Sequence, residues 1–385
     1  VTAASVPRRV AVRRLRLSNL RNHPALELEA EGATVALAGP NGAGKTNILE
    51  ALSLFAMGRG LRRAAAADIA RADSDGSWAA AMEAEGALGP VSLGTGVEID
   101  VAGEDTGRRR CRIDGATVPS PSAFADHLRL VWLTPAMDGL FTGSPGDRRR
   151  FLDRLVLAVD PDHASRVTAY ERALRNRNRL LEDERWDTRW LDATEREAAE
   201  LAVAVAAARA ETSARLAALI AETRDEASAF PWAEIALEGA LEAEVLSEPA
   251  AEVEDRFARR LAASRHRDRA AGRATEGPQA SDLVVRHGPK AMPAALSSTG
   301  EQKALLLGLV LAHARLVSRL WGATPIVLLD EVAAHLDPDR RAALYRVLMD
   351  LGAQAFMTGA DPALFDNLPE GAALFAVSAG RAERI

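Results

Sequence analysis

A single cysteine, Cys111, stands in 385 residues. No disulfide framework and no cysteine-based zinc site can therefore form within the chain, and this usage suits a reducing cytoplasm. Cys111 itself reads as a half-buried strand residue. Long apolar runs are missing as well: no stretch of ~18 apolar residues free of charge occurs, so no membrane span is expected. Val1 to Val10 holds two arginines with no apolar core after them, which does not read as a secretion signal. A basic excess is also lacking, with 48 Lys+Arg against 54 Asp+Glu and a net charge of −6. Any nucleic-acid surface must then be a local basic patch on an acidic body. What remains is ordinary for a globular protein, at 48% hydrophobic and 26% charged residues, and the length points to two lobes.

Against those absences one octapeptide stands out. Gly39-Pro40-Asn41-Gly42-Ala43-Gly44-Lys45-Thr46 reads G-x-x-x-x-G-K-T, the Walker A or P-loop pattern. Glycines let successive backbone N–H groups turn inward around phosphate oxygens, the lysine reaches the β- and γ-phosphates, and the threonine hydroxyl ligates Mg²⁺. All eight residues are thus candidates for holding ATP, with Lys45 also catalytic and Thr46 also a metal ligand. Thr34 to Ala38 is an apolar strand-type run before the loop. Ile48, Leu49, Leu52 and Phe55 follow at helical spacing, which sets the phosphates on a helix N-terminus.

Upstream, Val10 to Leu17 alternates apolar and basic residues, and Leu26 and Leu28 continue the alternation, predicting a β-hairpin that leads into the P-loop strand. Downstream lies a strand-rich stretch with turns expected at Gly86, Gly89, Gly94 and Gly96. Val97 to Val101 alternates, turns at Gly103 to Gly107 and returns through Arg108-Arg109-Arg110-Cys111-Arg112-Ile113 to the Asp114-Gly115 turn. Those arginines are either a solvated strand face or a contact to DNA phosphates, together with Arg62 and Arg63. Ser120-Pro121 reads as an N-cap with Pro at the first helical position, and Leu130 to Leu133 as a buried strand.

Beyond Pro135 the character becomes helical. Leu152, Leu155, Val156 and Val159 form one apolar stripe, and a helix capped by Asp160-Pro161 carries Tyr170, Leu174, Asn178 and Leu181 to about Glu184. From Asp187 to about Ser228 there is neither glycine nor proline. At 1.5 Å per residue that stretch would be a rod of roughly 60 Å, read either as an antiparallel coiled-coil arm or as part of a small helical lobe. A short strand near Ile235 to Gly239, a charged helix from about Ala251 to Arg269 and a loop from Ala270 to Pro278 complete this segment. His287 reads as an exposed loop residue.

The second chemical cluster follows. Ser297-Ser298-Thr299-Gly300-Glu301-Gln302-Lys303 opens a helix whose Leu305, Leu306, Leu307, Leu309, Val310 and Leu311 make it buried nearly all round, so its N-terminus is an anion site. Pro325 to Leu329 is an apolar strand ending in Asp330-Glu331, a Walker B pattern: Asp330 holds Mg²⁺ and Glu331 polarises the water that attacks the γ-phosphate. Asp337 caps a helix that runs to Gly352, and the strand Ala355 to Thr358 ends beside the site.

Walker A, a Ser-x-Gly-Glu signature, an Asp-Glu Walker B and a following Leu336-Asp337 resemble the ABC-type ATPase heads of the SMC class. The resemblance narrows to the RecF family on Leu15 to Asn22, on Gly143-Ser144-Pro145 with Arg148-Arg149-Arg150-Phe151-Leu152-Asp153, on Ala173 to Asn178 and on Ser298 to Lys303. It implies an α/β fold, an ABC/SMC-type P-loop head with an inserted α-helical lobe. Residues 1–138 and 276–385 would be the two halves of the head, and 139–275 the helical arm or lobe. It further implies an ATP-dependent homodimer in which Ser298, Gly300 and Glu301 of one subunit close over the nucleotide of the other, with Arg21 and Asn22 at the nucleotide-facing corner. Such a dimer would be a weak DNA-stimulated ATPase that binds double-stranded DNA at single-strand gaps and works with RecR, and with RecO and RecA downstream. The chain departs from the family at Gln279-Ala280, where His-Arg is usual after Gly-Pro, and it lacks the transporter-type switch histidine near Met357-Thr358-Gly359. Arg148 to Arg150 would otherwise serve to pair with acids of the helical segment.

A transporter ATPase subunit is disfavoured by the long insertion before the signature. A nuclease of the OLD type is disfavoured by the short stretch after Glu331, and a true SMC rod by the length of the arm. An ATP-gated clamp with negligible turnover is the remaining alternative.

Overall fold

The computed structural model describes residues 7–98, 108–183 and 187–385. The end of the strand expected at Val97 to Val101, its turn at Gly103 to Gly107 and the helix end at Glu184 lie outside the described residues. The chain forms two compact units, one of Val1–Asp138, Ala227–Phe230 and Leu306–Ile385, the other of Gly139–Glu226 and Pro231–Leu305.

In the first unit, apolar runs become a parallel sheet because strands buried on both faces need no polar alternation. Its order is Arg381–Arg384, Ala373–Ser378, Thr34–Ala38, Ala355–Gly359, Ile326–Leu329 and Leu130–Leu133. Every neighbouring pair is parallel except the outermost, Ala373–Ser378 with Arg381–Arg384. The alternating segments form a second, antiparallel sheet: His23–Glu29, Ala11–Leu20, Trp78–Gly86, Gly89–Val97, Arg110–Ile113 and Ala116–Val118. Between them the P-loop helix Lys45–Ser53 buries Ile48, Leu49 and Leu52, followed by Phe55, against Leu15, Leu17, Leu93 and Phe356.

The hairpin, the P-loop strand and the Walker B strand fall where their patterns put them. Gly94 and Gly96 do not make turns. They lie inside the strand Gly89–Val97, and only Gly86 and Gly89 flank a turn. A side chain at Gly96 would put its Cβ 2.3 Å from Trp78 O, so glycine here serves close backbone approach. Cys111 is on a strand, as expected, but fully buried. Ser120-Pro121 opens a 3₁₀ turn, Pro121–Asp126, with no side-chain cap from Ser120.

The second unit gathers the helices Pro145–Val159, His163–Glu182, Thr188–Glu222, Ala250–Ala263 and Arg265–Ala271 with a small sheet ordered Met292–Pro293, Asp282–His287, Ala233–Glu238. The stretch without glycine or proline is one helix of 35 residues, about 52 Å long. Residues from Leu191 to Ile220 are buried along it. Ala198, Ala199, Ala202, Val203 and Ala206 pack with Tyr170, Ala173 and Leu174 and with Val253, Phe257 and Leu261. Its alanines let neighbouring helices close in, so this is a helical lobe rather than a projecting arm. The charged helix expected from Ala251 to Arg269 breaks at Ser264, whose Oγ turns back to Leu261 O at 3.0 Å and to Asp268 Oδ2 at 2.7 Å.

By length and composition the helix Thr299–Trp321 could cross a membrane, but 67% of its apolar window is buried within the protein, as in a core helix.

Candidate nucleotide site

The P-loop strand is buried along its whole length and delivers the loop at its carboxyl end. Two glycines there are obligatory. A Cβ on Gly39 (φ +158°) would sit 2.1 Å from Val377 O, and one on Gly44 (φ +105°) 2.5 Å from Asn22 Oδ1 and 2.6 Å from His23 Nε2. The helix Lys45–Ser53 starts at Gly44 with no side-chain cap, which leaves its first-turn N–H groups for an anion. Lys45 is one of three lysines in a chain that otherwise uses arginine for positive charge. Its Nζ donates to Gly39 O at 2.6 Å and Pro40 O at 2.9 Å. Burial lowers its pKa, with Glu331 and Asp330 acting in the opposite direction. Both acids are therefore close enough to act on the lysine.

The strand Ala355–Gly359 lies between the P-loop strand and the Walker B strand, so the two motifs meet across it. Thr46 Oγ1 donates to Asp330 Oδ1 at 2.9 Å and approaches Oδ2 at 3.2 Å. A hydroxyl and one carboxylate in contact fit Mg²⁺, which keeps several waters and takes its other ligands from phosphates. Among the described residues no cluster of three or more His, Cys, Asp or Glu could hold a metal by itself. Thr358 Oγ1 also donates to Asp330 Oδ1, at 2.8 Å, and accepts from Glu331 N at 2.8 Å. Glu331 has φ +55°, a left-handed conformation rare outside glycine.

The corner after the first strand, Arg21 and Asn22, lies beside the loop. Asn22 Nδ2 donates to Ala43 O at 3.1 Å and accepts, through Oδ1, from Asn47 at 2.7 Å, so it braces the loop backbone. Arg21 forms a two-pronged pair with Glu50, at 2.9 and 2.7 Å, and that hydrogen bonding raises the pKa of its guanidinium. Arg62 reaches the same carboxylate at 2.7 Å. The sequence reading missed Glu50, His23 and Thr358. Glu50 is a charged residue on the buried face of the P-loop helix. That oddity is the one signal that would have exposed it.

Ser298, Gly300 and Glu301 belong to the second unit. Ser298 and Gly300 are exposed, and a Cβ on Gly300 would meet nothing within 4 Å. Glu301 accepts from Ser298 N at 3.0 Å and pairs with Lys290 at 2.5 Å, and the Lys290 ammonium holds its carboxyl at about 2. Gln302 anchors the turn by donating to Ser297 O at 2.8 Å. A helix start is thus presented outward with its first turn accessible.

Comparison with known proteins meets this geometry. The family described as RecF/RecN/SMC N terminal domain matches residues 11–383. The "DNA replication and repair protein RecF" of Mesorhizobium japonicum is 56% identical over 363 residues, covering 94% of this chain and 95% of that one. The chain belongs to the RecF family. The protein of the same description from Brucella suis is 53% identical over 377 residues, covering 97% and 96%. Among solved structures, the recombination mediator protein RecF-ATPrS in the RecFOR pathway matches with a TM-score of 0.85, 22% identity and 99% of both chains covered. The Smc head domain from Pyrococcus furiosus matches with a TM-score of 0.52, 16% identity, and 98% and 96% covered. The fold is accordingly that of a P-loop ABC/SMC-type ATPase head with a helical lobe.

One of the stretches that carry the RecF resemblance, Arg148 to Asp153, makes contacts within the fold. Ser144 and Asp147 form a capping box at the start of its helix. Arg148 clasps Asp282 with two bonds of 2.7 Å, Arg149 donates to Ser281 O at 2.7 Å, and Arg150 pairs with Asp147. Asp153 takes Arg209 at 2.8 and 2.9 Å and His163 at 2.8 Å. After Gly277-Pro278, Gln279 is tied inward to Tyr170 OH and, through Nε2, to Glu276 O at 2.7 Å. His287 is not an exposed loop residue: it is buried at the end of the strand Asp282–His287, because its neighbours Ala233 and Met292 pair on both sides of it.

The candidate DNA arginines divide. Arg109 turns inward and donates to Leu54 O and, at 2.7 Å, to Thr95 Oγ1, and burial lowers its pKa. Arg110 and Arg112 pair with Glu98 at 2.7 and 3.1 Å. Arg63 and Arg108 are exposed.

Proposed function

We propose that the protein is an ATP-dependent DNA-binding ATPase of recombinational gap repair. In this reading residues 1–138 and 276–385 form the head, and two copies enclose two ATP molecules. Each nucleotide lies between Gly39 to Thr46 of one copy and Ser298, Gly300 and Glu301 of the other. The carrying observation is the 2.9 Å contact of Thr46 with Asp330, which joins the loop and the acid of a Mg²⁺–phosphate site.

Mg²⁺ bound with ATP supplies charge neutralisation of the phosphates. Lys45 would leave the carbonyls of Gly39 and Pro40 for the β- and γ-phosphate oxygens, and Thr46 and Asp330 would hold the ion. Glu331 orients and polarises the attacking water. The exposed serine and glycine of the second copy add the Ser298 hydroxyl, the Gly300 N–H and the positive end of a helix on the far side of the γ-phosphate. Closure of this dimer forms the basic surface that binds duplex DNA beside a single-strand gap, hydrolysis reopens it, and RecR, with RecO and RecA downstream, acts on the DNA-bound form. Contact through the phosphate backbone suits a protein that reads a junction rather than a sequence.

Light scattering and gel shifts of gapped, duplex and single-stranded DNA test this, with ATP, with ADP and without nucleotide, at stated salt. Dimerisation and gap binding are expected with ATP alone. Glu331→Gln should hold the ATP-bound dimer on DNA, and Lys45→Ala should abolish ATP-dependent dimerisation. A wild-type protein that stays monomeric with ATP, or an unchanged hydrolysis rate in Glu331→Gln, would sink the reading.

A further inference from the structure

The end of the strand Ala355–Gly359 touches both nucleotide motifs at once. In register, Met357 lies opposite Leu329 on the Walker B strand, while Thr358 and Gly359 lie opposite Leu37 and Ala38 on the P-loop strand. Gly359 O accepts from Gly39 N, the first amide of the P-loop, at 3.2 Å. One residue earlier, the fully buried Thr358 hydroxyl contacts Asp330 Oδ1 and Glu331 N, both at 2.8 Å.

The direction of these bonds is fixed by chemistry. A backbone N–H can only donate, so the Thr358 oxygen accepts from Glu331 and its one proton goes to Asp330. Asp330 Oδ1 thereby receives a second donor beside Thr46, 2.9 Å away, which settles the orientation of the carboxylate. The same hydroxyl holds the amide of Glu331 in its left-handed conformation at φ +55°, right after the strand. The next residue offers no substitute: a Cβ on Gly359 would lie 2.8 and 3.0 Å from the Phe365 ring.

We propose that Thr358 is a positioning residue for hydrolysis, setting the metal-facing carboxylate of Asp330 and the direction of Glu331 through one hydroxyl. This rests on the ATPase reading above. Binding of the triphosphate depends mainly on the loop N–H groups and on Lys45, whose ammonium bonds Gly39 O and Pro40 O and not Thr358. Its loss should therefore fall on turnover rather than on affinity.

The test compares Thr358→Val, which keeps the branched shape on a strand and removes only the hydroxyl, with Thr358→Ser, which keeps the hydroxyl. ATP hydrolysis gives kcat and KM, and binding of a fluorescent ATP analogue is measured alongside. Thr358→Val should lose about 10- to 100-fold in kcat, the scale of one buried hydrogen bond to a charged group, with KM and analogue binding changed by less than about 3-fold. Thr358→Ser should recover most of the rate. Unchanged kcat in Thr358→Val, analogue binding lost in parallel with kcat, or a Thr358→Ser rate as low as that of the valine variant would overturn the assignment. If the unsubstituted protein binds the analogue but hydrolyses no ATP, both the ATPase reading and this inference fall, whereas failure of the variants alone removes only the inference.

Discussion

Gln354 hydrogen-bonds both backbone groups of Val12: its Oε1 accepts from Val12 N at 2.7 Å and its Nε2 donates to Val12 O at 3.0 Å. The same Nε2 reaches Ala30 O at 3.0 Å and Gly32 O at 3.1 Å. Val12 sits where the pairing of Ala11–Leu20 with Trp78–Gly86 shifts register, and beyond the end of its partner strand His23–Glu29. A buried amide side chain thus stands in for the missing strand and joins the antiparallel sheet to the strand that carries Thr358.

Replacing this amide should be costly. Gln354→Leu keeps the volume roughly and strands an N–H and two carbonyls that the fold has removed from water, along with the half-buried Gly32 carbonyl. At about 1–3 kcal/mol for each unsatisfied buried group, and without full additivity, we expect a loss of about 3 kcal/mol or more. Urea unfolding measures it. A midpoint equal to the wild type would show that water reaches these groups and that Gln354 is not a keystone.

None of that was legible in the sequence, because Gln354 and Val12 are far apart in the chain and neither has a local pattern. What could be read was local. The P-loop, its flanking strand and helix, the Walker B strand and the first hairpin each follow from a spacing that one element imposes. Gly94 and Gly96 mislead for the same reason: a glycine pattern does not distinguish a turn from a strand that must pass close to Trp78. Asp187 to Ser228 showed its helicity but not its neighbours, since alanine faces suit a thin arm and a packed bundle equally. Thr358, Glu50 and the true partners of Arg148 to Arg150 emerge only once distant segments meet.

Arg177 is such a case in the helical unit. Fully buried, it pairs with Glu195 at 3.0 Å and Asp268 at 2.8 Å and donates to Leu261 O at 2.7 Å. Arg177→Met would fill similar space, take the cation from Asp268 and leave Glu195 with Arg265 as its remaining partner. Breaking a buried pair from one side costs about 3–5 kcal/mol. The double change Arg177→Met with Glu195→Gln should recover part of this, as a double-mutant cycle in urea would show. Strict additivity of the two losses would contradict the pairing.

Acid should loosen this unit first. Burial alone would raise the carboxyls of Asp268 and Asp153. Hydrogen bonds from Thr275, Ser264 and Arg177 outweigh it for Asp268, and those from His163 and Arg209 for Asp153, so both pKa values are lowered. A lowered folded value means stability that is present above the unfolded value, about 3.9 for Asp, and is lost as pH falls through the folded value. The urea midpoint should therefore drop below about pH 4, and Asp268→Asn should flatten that drop. A midpoint independent of pH over this range would refute the linkage.

The arginine candidates make separable predictions for DNA. Arg63 and Arg108 are exposed, so replacing either by alanine should weaken duplex binding without regard to sequence. For every phosphate no longer neutralised, the slope of log K against log salt should become shallower by about 0.9. Arg109 is different, because its guanidinium serves Leu54 O and Thr95 Oγ1 within the fold. Arg109→Ala should lower the unfolding midpoint and leave the salt slope as it was. Arg62 lies between these cases: it shares Glu50 with Arg21 and also donates to Asn47 Oδ1 at 2.6 Å, beside the P-loop helix. Arg62→Ala should alter ATP affinity along with DNA affinity, and binding isotherms at several salt concentrations with and without ATP would measure both. If Arg109→Ala reduced the slope while Arg63→Ala and Arg108→Ala did not, the DNA would have to approach the protein from another face.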